Sequence, residues 1–178
     1  KDPVTMALTA TATPEVQTDI LKQLQLPREE VKVFHHGIAR ENLQLDVESL
    51  HGLENKLVAF LEFRKKEKGP TIVYFSLIQT LSNFSEGLRK KGVPHLIYHG
   101  QLPDRVRKQN QNAFMKSTGD IILATPAFGL GVDKSDIRAV LHAELPGSIE
   151  AYYQEVGRAG RDGKPAQGLL LYDEDDIT

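Results

Sequence analysis

The stretch Gln154-Glu155-Val156-Gly157-Arg158-Ala159-Gly160-Arg161-Asp162-Gly163 places two arginines three positions apart among three glycines. A guanidinium stays charged at any working pH and presents a planar fork of donors that matches a phosphate edge, while glycine lets backbone come close to a ligand. Arg158 and Arg161 are therefore candidate phosphate ligands. A second run, Ala124-Thr125-Pro126-Ala127-Phe128-Gly129-Leu130-Gly131-Val132-Asp133-Lys134, sets a hydroxyl beside paired glycines and an aspartate. Thr125 has the chemistry to donate to a phosphate and Asp133 to accept from a ribose hydroxyl. Equally, the run reads as a glycine-rich turn that its aspartate merely caps. Tyr98-His99-Gly100 with Arg107 and Gln111 says less, because His99 is as well explained by a structural role and Arg107 by a solvated helix face. Two further runs only imitate ligand sites. From Gly157 to Lys164 five residues separate the glycines and Pro165 replaces the required Ser or Thr, so this is not a P-loop, and none occurs elsewhere in the chain. Asp173-Glu174-Asp175-Asp176 reads as a solvated acidic run rather than a magnesium site, and no metal site is expected.

Composition limits the partners these groups can have. At 178 residues and 40% hydrophobic, the chain suffices for one substantial core and an appendage. With no cysteine it has neither a disulfide framework nor a cysteine-based zinc site. No apolar run approaches a membrane span, and the N-terminus lacks a secretory signature. A formal net charge of -2 argues against a protein that coats nucleic acid, so any such contact has to be local.

The elements that must position these residues follow from periodicity. Val4 to Thr9 reads as a short strand, and with nothing before it to pair with, it implies the end of a larger unit. Thr13 is an N-cap and Pro14 a first helical residue, with Val16, Ile20 and Leu24 as the apolar stripe before Pro27. Val31 to Phe34 is a candidate strand inside a connector. Leu43, Leu45 and Val47 alternate as a half-buried strand does, and Leu50, Leu53, Leu57, Phe60 and Leu61 trace a helix face. Lys65, Lys66 and Lys68 close that helix, either as a solvated end whose cations suit the dipole or as a contact for DNA. Thr71 to Phe75 is a continuous apolar strand, with Ser76 at its end and Leu77, Leu81, Phe84 and Leu88 as the next helix stripe. Then come a strand at Leu96 to Tyr98, a helix from about Pro103 burying Val106, Ala113 and Phe114, and strands at Ile121 to Ala124 and Ala139 to His142. A helix capped by Ser148 runs from Ile149 to Val156, and a closing strand from Gly168 to Tyr172. Alternating strands and helices imply a mostly parallel sheet covered on both faces, with ligands at the C-terminal strand ends. That rule gathers Ser76, the Tyr98-His99-Gly100 turn, Thr125 and the segment after His142 along one edge.

Taken together, Ala7-Leu8-Thr9-Ala10-Thr11-Ala12-Thr13-Pro14, the segment 125–138, Tyr152-Tyr153-Gln154-Glu155 and the arginine run resemble motifs III, V and VI of the RecQ family of superfamily-two DNA helicases. Tyr98-His99 with Leu102, Arg107, Gln111 and Phe114 is similar to the segment between motifs IV and V. The resemblance implies an α/β RecA-like fold, a P-loop NTPase architecture lacking its own P-loop. It further implies the end of a first lobe at 1–26, a connector at 27–42 and a second lobe at 43–178. ATP with Mg2+ would bind between the lobes, its principal ligands on the first. Arg161 would be the arginine finger, Arg158 its support on the phosphate, Gln154 a sensor of closure, Gly131 a further ATP contact, and Asp133 either a contact to the ribose or a link between motifs V and VI. Thr125, Ser76, His99 and Arg107 would touch DNA, and Thr9 and Thr11 would couple the two sites. The implied activity is ATP-driven 3′ to 5′ movement on single-stranded DNA with unwinding of partially duplex DNA, the isolated chain being inactive. The implied setting is intracellular, cytoplasmic in a bacterium or nuclear in a eukaryote. One departure is Phe75-Ser76-Leu77-Ile78, where the family commonly carries a Cys-Asn-Ser-Arg type of segment. The competing readings are a non-catalytic helicase-like module for nucleic acid or protein, and another superfamily-two motor such as an RNA helicase.

Overall fold

The apolar run Thr71–Tyr74 (β2) is buried at every position, as a central parallel strand covered on both faces must be. The structure, a computed structural model, describes residues 4–9, 13–34, 40–129 and 131–177. The chain divides into two units, residues 1–40 and 41–178.

In the first unit, helix α1 (Pro14–Gln23) starts where the sequence places it, with the Thr13 hydroxyl accepting from the Val16 amide at 3.3 Å and proline opening the helix. The expected strand at Val4 to Thr9 does not form. These residues are exposed and pair with no strand among the described residues, and a strand without a neighbour leaves its backbone groups to water. Residues 31–34 likewise form no strand. Of the motif III residues, Thr9 is exposed, while Ala10, Thr11 and Ala12 lie outside the described residues.

The second unit carries β1 (Leu43–Ser49), α2 (Leu53–Lys66), β2, α3 (Ile78–Lys90), β3 (Leu96–Tyr98), α4 (Asp104–Lys116), β4 (Ile121–Ala124), β5 (Ala139–His142), α5 (Ile149–Val156) and β6 (Ala166–Tyr172). All strand pairs are parallel, in the order β1-β6-β5-β2-β4-β3. This is the parallel α/β sheet expected from the alternating pattern, and it accords with the RecA-like fold that the resemblance implies. One core, with Phe60, Phe75, Phe84 and Leu88, joins α2 and α3 to one set of strand side chains; the other, with Tyr74, Phe114, Phe128 and Val156, occupies the alternate set.

Four expectations about burial need correction, the first in α1, where Val16 and Leu24 of the apolar stripe are exposed. β1 forms, but Leu45 and Val47 are exposed because β1 is the sheet's edge and bonds only to β6. In α4 only Phe114 is buried, whereas Val106 and Ala113 are exposed. That helix turns Asn110 toward β3, where its amide donates to the Ile97 carbonyl at 2.7 Å, so a polar contact rather than an apolar stripe sets its rotation. Leu77 is exposed as the residue preceding α3.

From β2 the chain moves outward to β3, returns to β4 beside β2, and then crosses to β5 on the other side of β2. The register sets Tyr74 opposite both Ala124 and His142, and Tyr98 opposite Ala124. The segments after β2, β3, β4 and β5 thus leave one edge side by side, around the point where strand order reverses.

Candidate functional site

The two arginines diverge because Gly160 between them is locked. Its amide donates to the Ile137 carbonyl at 2.8 Å, its carbonyl accepts from the Asn42 amide at 2.8 Å, and its φ is +61°. An added Cβ would lie 2.8 Å from the Ala166 Cβ and 2.9 Å from the Lys164 carbonyl oxygen. Combining left-handed strain with this overlap, Gly160→Ala is expected to cost about 2 kcal/mol and to lower the melting temperature by several degrees in a thermal scan. At the end of the same turn, Arg138 donates to the Asp162 carboxylate at 2.6 Å, which holds that carboxyl below the usual aspartate range.

Arg158 turns inward. Its Nη1 donates to the Gly129 carbonyl at 2.8 Å, and its Nε is buried without a partner among the described residues. The guanidinium occupies the space above Gly129, where a Cβ would stand 2.3 Å from Nη2. Nearby, burial pushes the Tyr74 phenol above its ordinary value, against the opposing pull of the Arg158 charge. Arg161 instead points out. Its side chain is 39% exposed and meets one oxygen of the exposed Asp133 at 3.4 Å. The turn between β4 and β5 also contains Gly131, which has a φ of +76° and open space where a side chain would be. Gln154 is exposed on α5, whose start is capped as expected by the Ser148 hydroxyl, 3.1 Å from the Ala151 amide.

Of the residues expected to face DNA, Ser76, His99 and Thr125 follow the ends of β2, β3 and β4, whereas Arg107 lies in the first turn of α4. The Ser76 and Leu77 amides both donate to one oxygen of Glu144, at 2.7 and 3.0 Å, and the Ser76 hydroxyl donates to the Leu145 carbonyl at 2.9 Å. Thr125 is buried, and its amide continues the sheet by donating to the Tyr98 carbonyl at 3.1 Å. His99 is half-buried, with Nδ1 enclosed and unpartnered among the described residues, and burial lowers its pKa from the ordinary value. Arg107 forms an ion pair with Asp104, one turn earlier on α4. The acidic run is not simply solvated. Asp173 is buried and accepts from the Gly52 amide, while Asp176 meets the buried Lys56 ammonium at 2.7 Å. Among the described residues no group of three His, Cys, Asp or Glu is arranged to hold a metal ion, and no helix is long and apolar enough to cross a membrane.

Sequence reasoning did not single out Asn42, Tyr74, Arg138, Glu144 or Glu155. Asn42 was assigned to a connector, and its bonds to Gly160 and Lys164 span more than a hundred residues, which no local pattern displays. A signal did exist for His142, a polar residue that ends the otherwise apolar run Ala139-Val140-Leu141.

This edge, with one arginine turned inward and half-buried and one extended over a glycine-rich turn, belongs to a lobe of the helicase type, and the model of the helicase conserved C-terminal domain matches residues 52–163. The chain belongs to the helicase conserved C-terminal domain family. Its kinship is with RecQ: it is 43% identical over 175 residues to the ATP-dependent DNA helicase RecQ of Bacillus subtilis (strain 168), covering 98% of this chain and 29% of that protein. It is also 40% identical over 178 residues to the RecQ-like DNA helicase BLM of Xenopus laevis, covering 97% of this chain and 13% of that protein. The chain thus spans less than a third of the length of these relatives. Domain 2 of the DEAD-box helicase Mss116p superposes with a TM-score of 0.65 at 24% identity, over 75% of this chain and 56% of that one. The Escherichia coli DEAD-box protein SrmB gives 0.65 at 20% identity, over 75% and 78%. At such identities the superpositions establish the RecA-like fold alone.

Proposed function

We propose that this chain is the second RecA-like lobe, together with the end of the first, of an ATP-dependent DNA helicase of RecQ type. On this reading residues 1–26 close the first lobe, 27–42 connect, and 43–178 form the second. The observation that carries the proposal is the divergence of the arginines: Arg158 is built into the lobe, whereas Arg161 is extended and, among the described residues, held by a single long contact. Such a pair suits a nucleotide whose phosphates arrive on another surface. Phosphoryl transfer is accelerated mainly by positioning and charge stabilisation, and an arginine that joins late supplies both. Arg161 reaches the γ-phosphate as finger, Arg158 steadies the phosphate from below, and Gln154 registers closure. Asp133 exchanges its contact with Arg161 for the ribose, and Gly131 leaves room for the nucleotide. The principal ligands of Mg2+ belong to the P-loop lobe.

DNA lies along the strand edge, its phosphates met near Ser76, His99, Thr125 and Arg107. Such contacts position the strand without reading its sequence. Ser76 then exchanges the Leu145 carbonyl for phosphate, and Thr125, being buried, acts by fixing the edge rather than by broad contact. Closure and reopening on hydrolysis shift this grip relative to the first lobe, through Thr9 and Thr11, and advance the motor 3′ to 5′.

The test is to measure DNA-stimulated ATP hydrolysis by these 178 residues alone and by the protein that also contains the P-loop lobe. The expected result is no turnover by the chain alone, with weak DNA binding that falls as salt rises, and robust turnover by the larger protein. Hydrolysis by the isolated chain overturns the half-site reading.

A further inference from the structure

Beneath the arginine turn lies a buried polar cluster that neither phosphate nor DNA contact accounts for. His142, at the end of β5, is 1% exposed, and Glu155, in the last turn of α5, is 7% exposed. The imidazole Nε2 stands 2.7 Å from the Glu155 carboxylate. Where the carboxylate is the acceptor of this bond, Nε2 carries the hydrogen. Nδ1 is buried with no partner among the described residues, which leaves this bond as the ring's polar anchor.

The ring is also clamped on its faces. Tyr74 stacks on it at 5.4 Å and 27°, and Tyr152 tilts against it at 5.0 Å and 54°. The Tyr74 hydroxyl continues the chain of contacts by donating to the Phe128 carbonyl at 2.8 Å. The next carbonyl, that of Gly129, is the one that holds Arg158. Two successive carbonyls of the β4–β5 turn are therefore pinned by the same cluster that pins the arginine turn. The circuit closes through the backbone, because the Arg158 amide donates to the Glu155 carbonyl at 3.2 Å.

A buried pair of this kind gives little net stability compared with well-packed apolar groups of similar volume. What it supplies is direction, since one donor and one acceptor admit one arrangement where apolar side chains admit several. We propose that His142 is a positioning residue for the arginine pair. Through Glu155 it sets the angle at which the turn after α5 leaves the sheet, and through Tyr74 it ties that turn to the β4–β5 turn. Arg158, Arg161 and the segment bearing Asp133 then move as one body when the lobe closes on ATP. The inference rests on the reading of the arginines given under Proposed function.

The experiment compares steady-state ATP hydrolysis, at saturating DNA, of the helicase containing the P-loop lobe with that of its variants. His142→Leu combined with Glu155→Leu removes the hydrogen bond without leaving a buried charge. Its expected behaviour is a melting temperature near that of the parent, a KM for ATP within about twofold, and a kcat about tenfold lower, as a small misplacement of a catalytic group produces. Glu155→Gln alone keeps an acceptor for Nε2 and is expected to recover most of kcat. A folded double variant with the parent's kcat overturns the proposal, because a merely structural pair would alter stability and leave turnover per folded molecule intact. Should the double variant fail to fold, Tyr74→Phe carries the test: it deletes one hydroxyl, and a kcat about threefold lower at unchanged KM is expected. Parent kcat in that variant overturns the tie between the two turns. Arg161→Ala is assayed alongside. If it retains turnover, the arginine reading itself is wrong; if it is inactive while the other variants are normal, only the role of His142 falls.

Discussion

Replacing Arg161 with alanine is expected to lower ATP turnover of the complete helicase by about 10³ to 10⁵, the range that a transition-state arginine supplies in phosphohydrolases. The same change is expected to leave the fold almost untouched. In this lobe the Arg161 guanidinium makes one 3.4 Å contact with Asp133, whose side chain is 91% exposed. A pair so open to solvent contributes little to stability. The two measurements therefore separate the roles an arginine here can have. A structural salt bridge predicts a small change in melting and normal turnover, whereas a finger predicts unchanged melting and lost turnover. Single-turnover assays sharpen the distinction, since a finger acts on the chemical step while, on the proposed reading, ATP binding rests largely on the P-loop lobe. Near-normal turnover in a folded Arg161→Ala protein removes the residue from the role.

The sequence displayed what local physics decides. The buried strands β2, β4 and β5 are continuous apolar runs, and Thr13 and Ser148 cap helices where their hydroxyls and the following patterns require. Periodicity failed where an element's surroundings decide burial. Leu45 and Val47 alternate correctly but lie on an edge strand, and α4 is rotated by the bond between Asn110 and Ile97, leaving Val106 outside. Val4 to Thr9 has strand-like residues but no partner strand among the described residues. At the site, residue type and spacing identified the two arginines but not their opposite orientations. Those depend on Gly160 being held between Ile137 and Asn42, which come from distant parts of the chain. Similarly, Ser76 stands at the strand end anticipated for it, while the carboxylate that occupies its amide comes from Glu144, on the far side of a crossover.

Gly129→Ala is expected to reduce turnover by about 10- to 100-fold while preserving the fold, the scale associated with misplacing a catalytic group by about an ångström. Gly129 is not among the glycines with positive φ, so its backbone accepts alanine. The difficulty is space: the new Cβ would lie 2.3 Å from Nη2 and 2.7 Å from Cζ of Arg158. Of the two, the guanidinium must yield, because it ends a flexible side chain while Gly129 belongs to a turn whose Phe128 carbonyl is held by Tyr74. Moving it breaks the 2.8 Å bond to the Gly129 carbonyl and takes Arg158 away from the position proposed for supporting the phosphate. This account makes a stricter demand than a loss of activity. If Gly129→Ala acts only by displacing Arg158, it has no further effect on a protein that already carries Arg158→Ala, and the double variant turns over no more slowly than Arg158→Ala alone. Additive losses in that cycle would show that Gly129 serves the reaction independently of Arg158, through the nucleotide or the DNA itself.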